Sequence, residues 1–196
     1  MTPLRAVCVF CGSQPGARPA YLQAARELGA QLARRHWAVV YGGGHVGMMG
    51  ALADSALAAG GKVIGVIPEH LMRPEVAHQG LTELLVVDSM HTRKRIMAGR
   101  SDAFIVLPGG YGTFEEMFEM VTWRQLQLHA KPVGLVNVDG YFDHLLAFLQ
   151  HASEQQFIRP QHRGLLSVGA DTTSLLDQIT RQTAVAGRAA SDLDRS

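Results

Sequence analysis

The chain has 196 residues, 47% hydrophobic and 18% charged, which is the composition of one globular domain with a full core and not that of a disordered chain. Its 18 Lys and Arg against 17 Asp and Glu leave a formal net charge of +1, so the basic excess of a nucleic-acid binder is missing and no nucleic acid is expected as a partner. No apolar run reaches membrane-spanning length, and Leu4–Phe10 is too short for a leader, so a cytoplasmic chain without membrane attachment is expected.

The first strand-like run, Leu4–Phe10, carries Cys8, and Cys11 completes a C-x-x-C. Redox pairs of this spacing open a helix, and a zinc site needs two more soft ligands nearby. Here Gly12-Ser13-Gln14-Pro15-Gly16 follows, so both thiols are read as buried. A helix is predicted over Arg18–Arg35 and a strand over Trp37–Tyr41. The loop Gly42-Gly43-Gly44-His45-Val46-Gly47-Met48-Met49-Gly50 then opens a helix over Val46–Ala59. Glycines let a ligand approach the backbone closely, and the free N–H groups and dipole of a helix start attract phosphate. Gly42, Gly43, Gly44 and Gly47 exceed what a turn needs, so phosphate binding is the preferred reading. Gly42, Gly44 and Gly47 also spell G-x-G-x-x-G, with Glu69 just past the next strand, Lys62–Ile67. Dinucleotide binding is thus an alternative, weakened because the loop follows the second strand and the chain is short.

After a strand over Glu83–Val87, the cluster Met90-His91-Thr92-Arg93-Lys94-Arg95 opens a helix over His91–Arg100. Cations in a first turn oppose the helix dipole, so a bound anion is the expected reason for them. The planar fork of Arg suits phosphate or ribose oxygens. The strand Ala103–Leu107 leads into Pro108-Gly109-Gly110-Tyr111-Gly112-Thr113-Phe114-Glu115-Glu116 and a helix over Gly112–His129. Thr113 and Glu116 match a capping box, and Glu116 reads equally well as a cap or as a catalytic carboxylate. On this helix Phe114, Met117, Phe118 and Val121 form one apolar stripe, while Met120 and Trp123 lie with Glu116 on the other side. Such a helix is covered on both sides, and a partner subunit is one candidate for the second cover.

A strand over Pro132–Val138, a helix over Tyr141–Glu154, a strand over Leu165–Val168 and a helix over Thr172–Arg181 complete the pattern. Residues 183–196 lack apolar periodicity and are expected to form a disordered tail, leaving residues 1–182 as a single domain. The alternation predicts an α/β fold: a Rossmann-like, doubly wound parallel sheet in three α/β/α layers. Ligands of such sheets sit at the carboxyl ends of the strands. The nine histidines show no H-x-x-x-H or H-E-x-x-H spacing, so no metal is expected.

The segments Gly42 to Gly50, Met90 to Lys94 and Pro108 to Glu116 together resemble the Lonely Guy family of cytokinin riboside 5′-monophosphate phosphoribohydrolases, many once labelled lysine decarboxylases. The resemblance runs from about Leu4 to Thr180. It implies a homodimer that needs no cofactor and hydrolyses N6-modified AMP such as isopentenyl-AMP, and often AMP itself, to the free base and ribose 5-phosphate. It implies a catalytic pair, Arg93 and Glu116. It further implies substrate contacts at Ser13, Gly43, Gly44, Met48, Glu75, Met90, Lys94, Gly109, Gly110, Tyr111, Gly112, Thr113, Phe114, Glu115 and Thr122. The decarboxylase label fits poorly, because pyridoxal chemistry needs a Schiff-base lysine and only Lys94 of three lysines lies near these motifs. A carboxylate beside C1′ would stabilise the oxocarbenium-like sugar and prepare a water. Two further readings are a non-catalytic nucleotide-binding protein and, through the first glycine loop, an NAD-linked oxidoreductase.

Overall fold

The computed structural model describes residues 4–73 and 76–193. In chain order the elements are β1 (Ala6–Phe10), α1 (Pro19–Arg34), β2 (Ala38–Tyr41), α2 (Gly47–Ala58), β3 (Val63–Pro68), β4 (Glu83–Val87), α3 (Met90–Gly99), β5 (Ala103–Val106), α4 (Tyr111–Gln125), β6 (Val133–Val136), α5 (Asp143–Glu154), β7 (Leu166–Gly169) and α6 (Thr172–Leu193). Short 3-10 turns follow β3, β6 and α5. Each predicted strand and helix is found, with ends moved by a few residues. The exception is the last helix, which runs past Arg181 to Leu193 and takes in much of the stretch expected as a tail.

The seven strands form one sheet in the order β4-β3-β2-β1-β5-β6-β7, and every pairing is parallel. Two cores flank it. Leu28 and Leu32 of α1, Leu52 and Ala56 of α2, and Leu175 and Ile179 of α6 pack on one face against Val7, Val9, Val39 and Ile105. Met97 of α3, Met117 and Met120 of α4, and Phe142 pack on the other against Ala6, Cys8, Val40 and Phe104. Helices on both faces explain why the central strands read as unbroken apolar runs. Only the edge departs from this, with Val86 of β4 47% exposed.

The strand order reverses at β1, whose neighbours are β2 on one side and β5 on the other. A crevice opens at such a reversal, at the carboxyl ends of the strands. The connections that leave there are the segment after β1 and the second glycine loop after β5. They touch directly, since Gly12 N donates to Pro108 O at 3.0 Å.

Candidate active site

Arg93 and Glu116 meet as a buried ion pair. Arg93 Nη1 lies 3.1 Å from Glu116 Oε1, with both side chains 7% exposed. α3 presents Arg93 inward from its first turn, and its Nε donates to Val66 O in β3 at 3.0 Å. Gly42, at the end of β2, leaves the space the guanidinium occupies: a Cβ there would overlap Arg93 Nη2. Burial pushes the Glu116 carboxyl up from 4.5 to about 7, although Arg93 pulls it the other way. A carboxyl held near neutrality is populated in both protonation states, which suits acid-base work.

The capping-box reading of Glu116 is not borne out. α4 starts at Tyr111 with Gly110 as its N-cap and no side-chain cap. Thr113 is therefore the third helical residue, buried against Gly109, and Glu116 lies a turn too deep to reach the cap. The residue that does cap nearby is Ser89, which accepts from Thr92 N at 3.1 Å and starts α3 one residue earlier than predicted. α3 is thus capped by a side chain and α4 is not, so the first-turn N–H groups at the second glycine loop have no side-chain acceptor. A Cβ at Gly110 or Gly112 would meet nothing within 4 Å, so the backbone is open there. Tyr111 beside them is 93% exposed.

The basic cluster answers to an internal anion rather than a free site. Lys94 Nζ is hydrogen-bonded to Glu115 and lies 3.1 Å from Glu119 Oε2. Burial lowers this ammonium, but the bonds to Glu115 and Glu119 outweigh it and hold Lys94 above the ordinary lysine range. Such a lysine is a poor Schiff-base former. Arg93 and Lys94 thus join α3 to three carboxylates of α4. Glu119 escaped sequence reading, although its place one turn after Glu115 puts both on Lys94's side of the helix. Met90 Sδ lies 3.8 Å from Arg93 Nη1.

The first glycine loop is more enclosed than expected. Gly43, at φ +79°, is buried under Ile67 and Leu84, and its carbonyl accepts from His78 N at 2.9 Å. Gly44 is buried, bridges Ala77, and accepts the Tyr41 hydroxyl at 3.0 Å. Gly47, at φ +60°, lets the backbone carbonyl of Ser13 pack where a side chain would stand. Close packing therefore accounts for these glycines. Met48 is likewise a core residue, 1% exposed among the α1 and α2 side chains, and it is Met49 that packs on Gly42 and Gly44. Glu75 lies outside the described residues. Phe114 is half-buried against Phe142. Thr122 is exposed on a groove of about 360 Å³ between α4 and α5, beside Phe118 and Leu149. Met120 and Trp123 are covered by the chain's own second core, so a partner is not needed for that side of α4.

Cys8 and Cys11 are free, buried thiols on opposite faces of the sheet, one in each core, so they cannot pair, and burial pushes both well up. Among the described residues no cluster of three or more His, Cys, Asp or Glu suits a metal ion. No helix among them is long and apolar enough to cross a membrane.

The family model described as possible lysine decarboxylase matches residues 49–179. The chain is 53% identical over 175 residues to a probable cytokinin riboside 5′-monophosphate phosphoribohydrolase of Oryza sativa subsp. japonica, covering 89% of this chain and 77% of that protein. It is 46% identical over 173 residues to a cytokinin riboside 5′-monophosphate phosphoribohydrolase of Arabidopsis thaliana, covering 88% and 80%. Among solved structures, the molybdenum cofactor binding protein from the phototrophic bacterium Rippkaea orientalis superposes with a TM-score of 0.70 over 92% of this chain and 98% of that one, at 23% identity. That last likeness is one of fold alone. With the paired motifs, the Arg93–Glu116 pair and this identity over most of its length, the chain belongs to the family of cytokinin riboside 5′-monophosphate phosphoribohydrolases.

Proposed function

We propose that this protein hydrolyses the N-glycosidic bond of adenosine 5′-monophosphate and its N6-modified forms, such as isopentenyl-AMP, releasing the free base and ribose 5-phosphate. The observation that carries the reading is the water-shielded Arg93–Glu116 pair, whose carboxylate sits on the helix that starts, uncapped, at the open end of the second glycine loop. The 5′-phosphate docks at that start, where Gly110, Tyr111 and Gly112 offer backbone N–H groups and the α4 dipole favours an anion. Binding energy from this remote group positions the ribose. Glu116, one turn further along, faces the anomeric carbon. As the C1′–N9 bond breaks, the electron pair leaves with the base and the Glu116 carboxylate stabilises the positive sugar. Glu116 also takes a proton from the attacking water, whose oxygen bonds to C1′, and that proton passes to the departing base, which leaves neutral and returns Glu116 to its carboxylate form. Arg93 aims the carboxylate and keeps it ionised often enough to act.

Thr122 stands apart from Glu116 within one chain, on the α4–α5 groove. A homodimer that covers this groove gives Thr122 a ligand-facing role that one chain does not, and sedimentation should return twice the mass of one chain. Two buried free thiols agree with a reducing, cytoplasmic setting. The test of function is incubation with AMP, isopentenyl-AMP, GMP, CMP and adenosine, with free base and ribose 5-phosphate resolved by chromatography. Release from the adenine monophosphates and little from adenosine is expected. Tight AMP binding with no base released would replace the hydrolase reading with that of a nucleotide carrier.

A further inference from the structure

The second glycine loop is braced by a side chain that no motif contains. Tyr141 lies between β6 and α5, directly after the 3-10 turn at Val138–Gly140. Its hydroxyl donates to Gly109 O at 2.5 Å. Its ring stands edge-on to Phe142, centroids 4.8 Å apart, and Phe142 is anchored in the core at 1% exposure. On its other side it stands edge-on to Tyr21 of α1, at 5.5 Å and 75°. Tyr21 packs against Gly16 in the segment after β1, so closely that a Cβ there would lie 2.5 Å from its ring. A row of rings thus joins the core to both connections at the sheet's reversal.

The hydrogen bond lands at an informative atom. Gly109 C=O and Gly110 N–H belong to one planar peptide and point in opposite directions. Holding the carbonyl therefore fixes the direction of the N–H. Gly109 and Gly110 lack side chains to restrict this peptide. Gly110 is also the N-cap of α4, with no side-chain cap and open space around it.

We propose that Tyr141 is a positioning residue: by tethering the Gly109 carbonyl it sets the Gly110 amide in the orientation that donates to a phosphate oxygen at the start of α4. This rests on the docking of the 5′-phosphate proposed above. Tyr141 touches no reacting atom in this scheme, so its effect belongs to binding and not to bond cleavage.

Tyr141→Phe keeps both ring contacts and removes only the tether. Calorimetric Kd values for AMP, ribose 5-phosphate and adenine, together with KM, kcat and the pH-rate profile, separate the possibilities. The loss of one neutral hydrogen bond is expected to weaken AMP and ribose 5-phosphate about fivefold and raise KM for AMP about as much. The adenine Kd, kcat at saturation and the pH midpoint should not move. Tyr141→Ala should weaken phosphate ligands further, through the lost stacks. Wild-type affinity for ribose 5-phosphate in Tyr141→Phe overturns the proposal. So does a variant with lowered melting temperature and kcat but unchanged KM, which marks a purely structural role. A wild-type protein that binds AMP without cleaving it refutes the hydrolase reading, while the Kd comparison still decides the role of Tyr141. Failure of the wild type to bind any monophosphate overturns both.

Discussion

Glu116→Gln exchanges a buried carboxyl for an amide of the same shape and deletes a charge that water would otherwise solvate. Burial raises this carboxyl from 4.5 to about 7 in the folded chain. The native state therefore holds the proton more tightly than the unfolded state. The associated stability is fully present below about pH 4.5 and is lost as pH rises through about 7. At about 1.4 kcal/mol per pH unit, the full loss is about 3 kcal/mol. Gln cannot ionise and escapes it. The stability of the variant relative to wild type should thus improve by about 3 kcal/mol between pH 4.5 and pH 8. Urea unfolding at matched protein concentration, at several pH values, reads this difference directly, and other titrating groups cancel in the comparison. Base release from AMP should meanwhile fall by about a hundredfold or more. A stability difference that stays flat with pH would refute the buried, high-pKa carboxyl, and a Gln variant with normal turnover would remove Glu116 from the chemistry.

If the ionised form of Glu116 is the active one, kcat should rise with pH through about 7 and level off above it, as a pH-rate profile will read. Arg93→Met should move that midpoint upward, since Arg93 is the main group pulling the carboxyl down. Stranding the ionised carboxylate should also cost about 3–5 kcal/mol at alkaline pH and much less at pH 5, measured by urea unfolding; an unmoved midpoint would deny the coupling. Gly42→Ala should push the Arg93 guanidinium off Glu116, costing about 1–3 kcal/mol and most of the activity; wild-type kcat in this variant would contradict the tight fit. Lys94→Met should leave Glu115 and Glu119 without their shared cation and lower stability more than it raises KM for AMP, a comparison that separates the internal ion cluster from direct substrate contact.

Much of the architecture is legible in the residues. Unbroken apolar runs such as Val7–Phe10 and Ala103–Val106 can be satisfied only by a sheet covered on both faces, and helix-forming stretches between them impose parallel crossovers. The glycine loops and the Pro108–Glu116 motif lie at the carboxyl ends of the strands, the end at which such folds meet ligands. The limits of sequence reading are equally specific. Thr113 and Glu116 have the spacing of a cap, and spacing cannot say that the helix already begins at Tyr111, with Gly110 as its cap. The glycines of the first loop look like a phosphate cradle, yet Gly42 makes room for Arg93 and Gly47 for a carbonyl of Ser13. Met48 and Met49 are indistinguishable as letters, but only Met48 is fully buried in the core, while Met49 is half-buried at its edge.

A resemblance of motifs to a known family nominated Arg93 and Glu116, while the sequence by itself determined the element order and the three-layer parallel class. These follow from periodicity and from residue types at short range along the chain. The tertiary structure alone decided that the partner of Arg93 is Glu116, that Lys94 is shared between Glu115 and Glu119, and that Tyr141 tethers Gly109. Each of these joins residues that follow different strands, β4, β5 and β6, and such distances close only when the sheet order and the crossing helices bring those connections together.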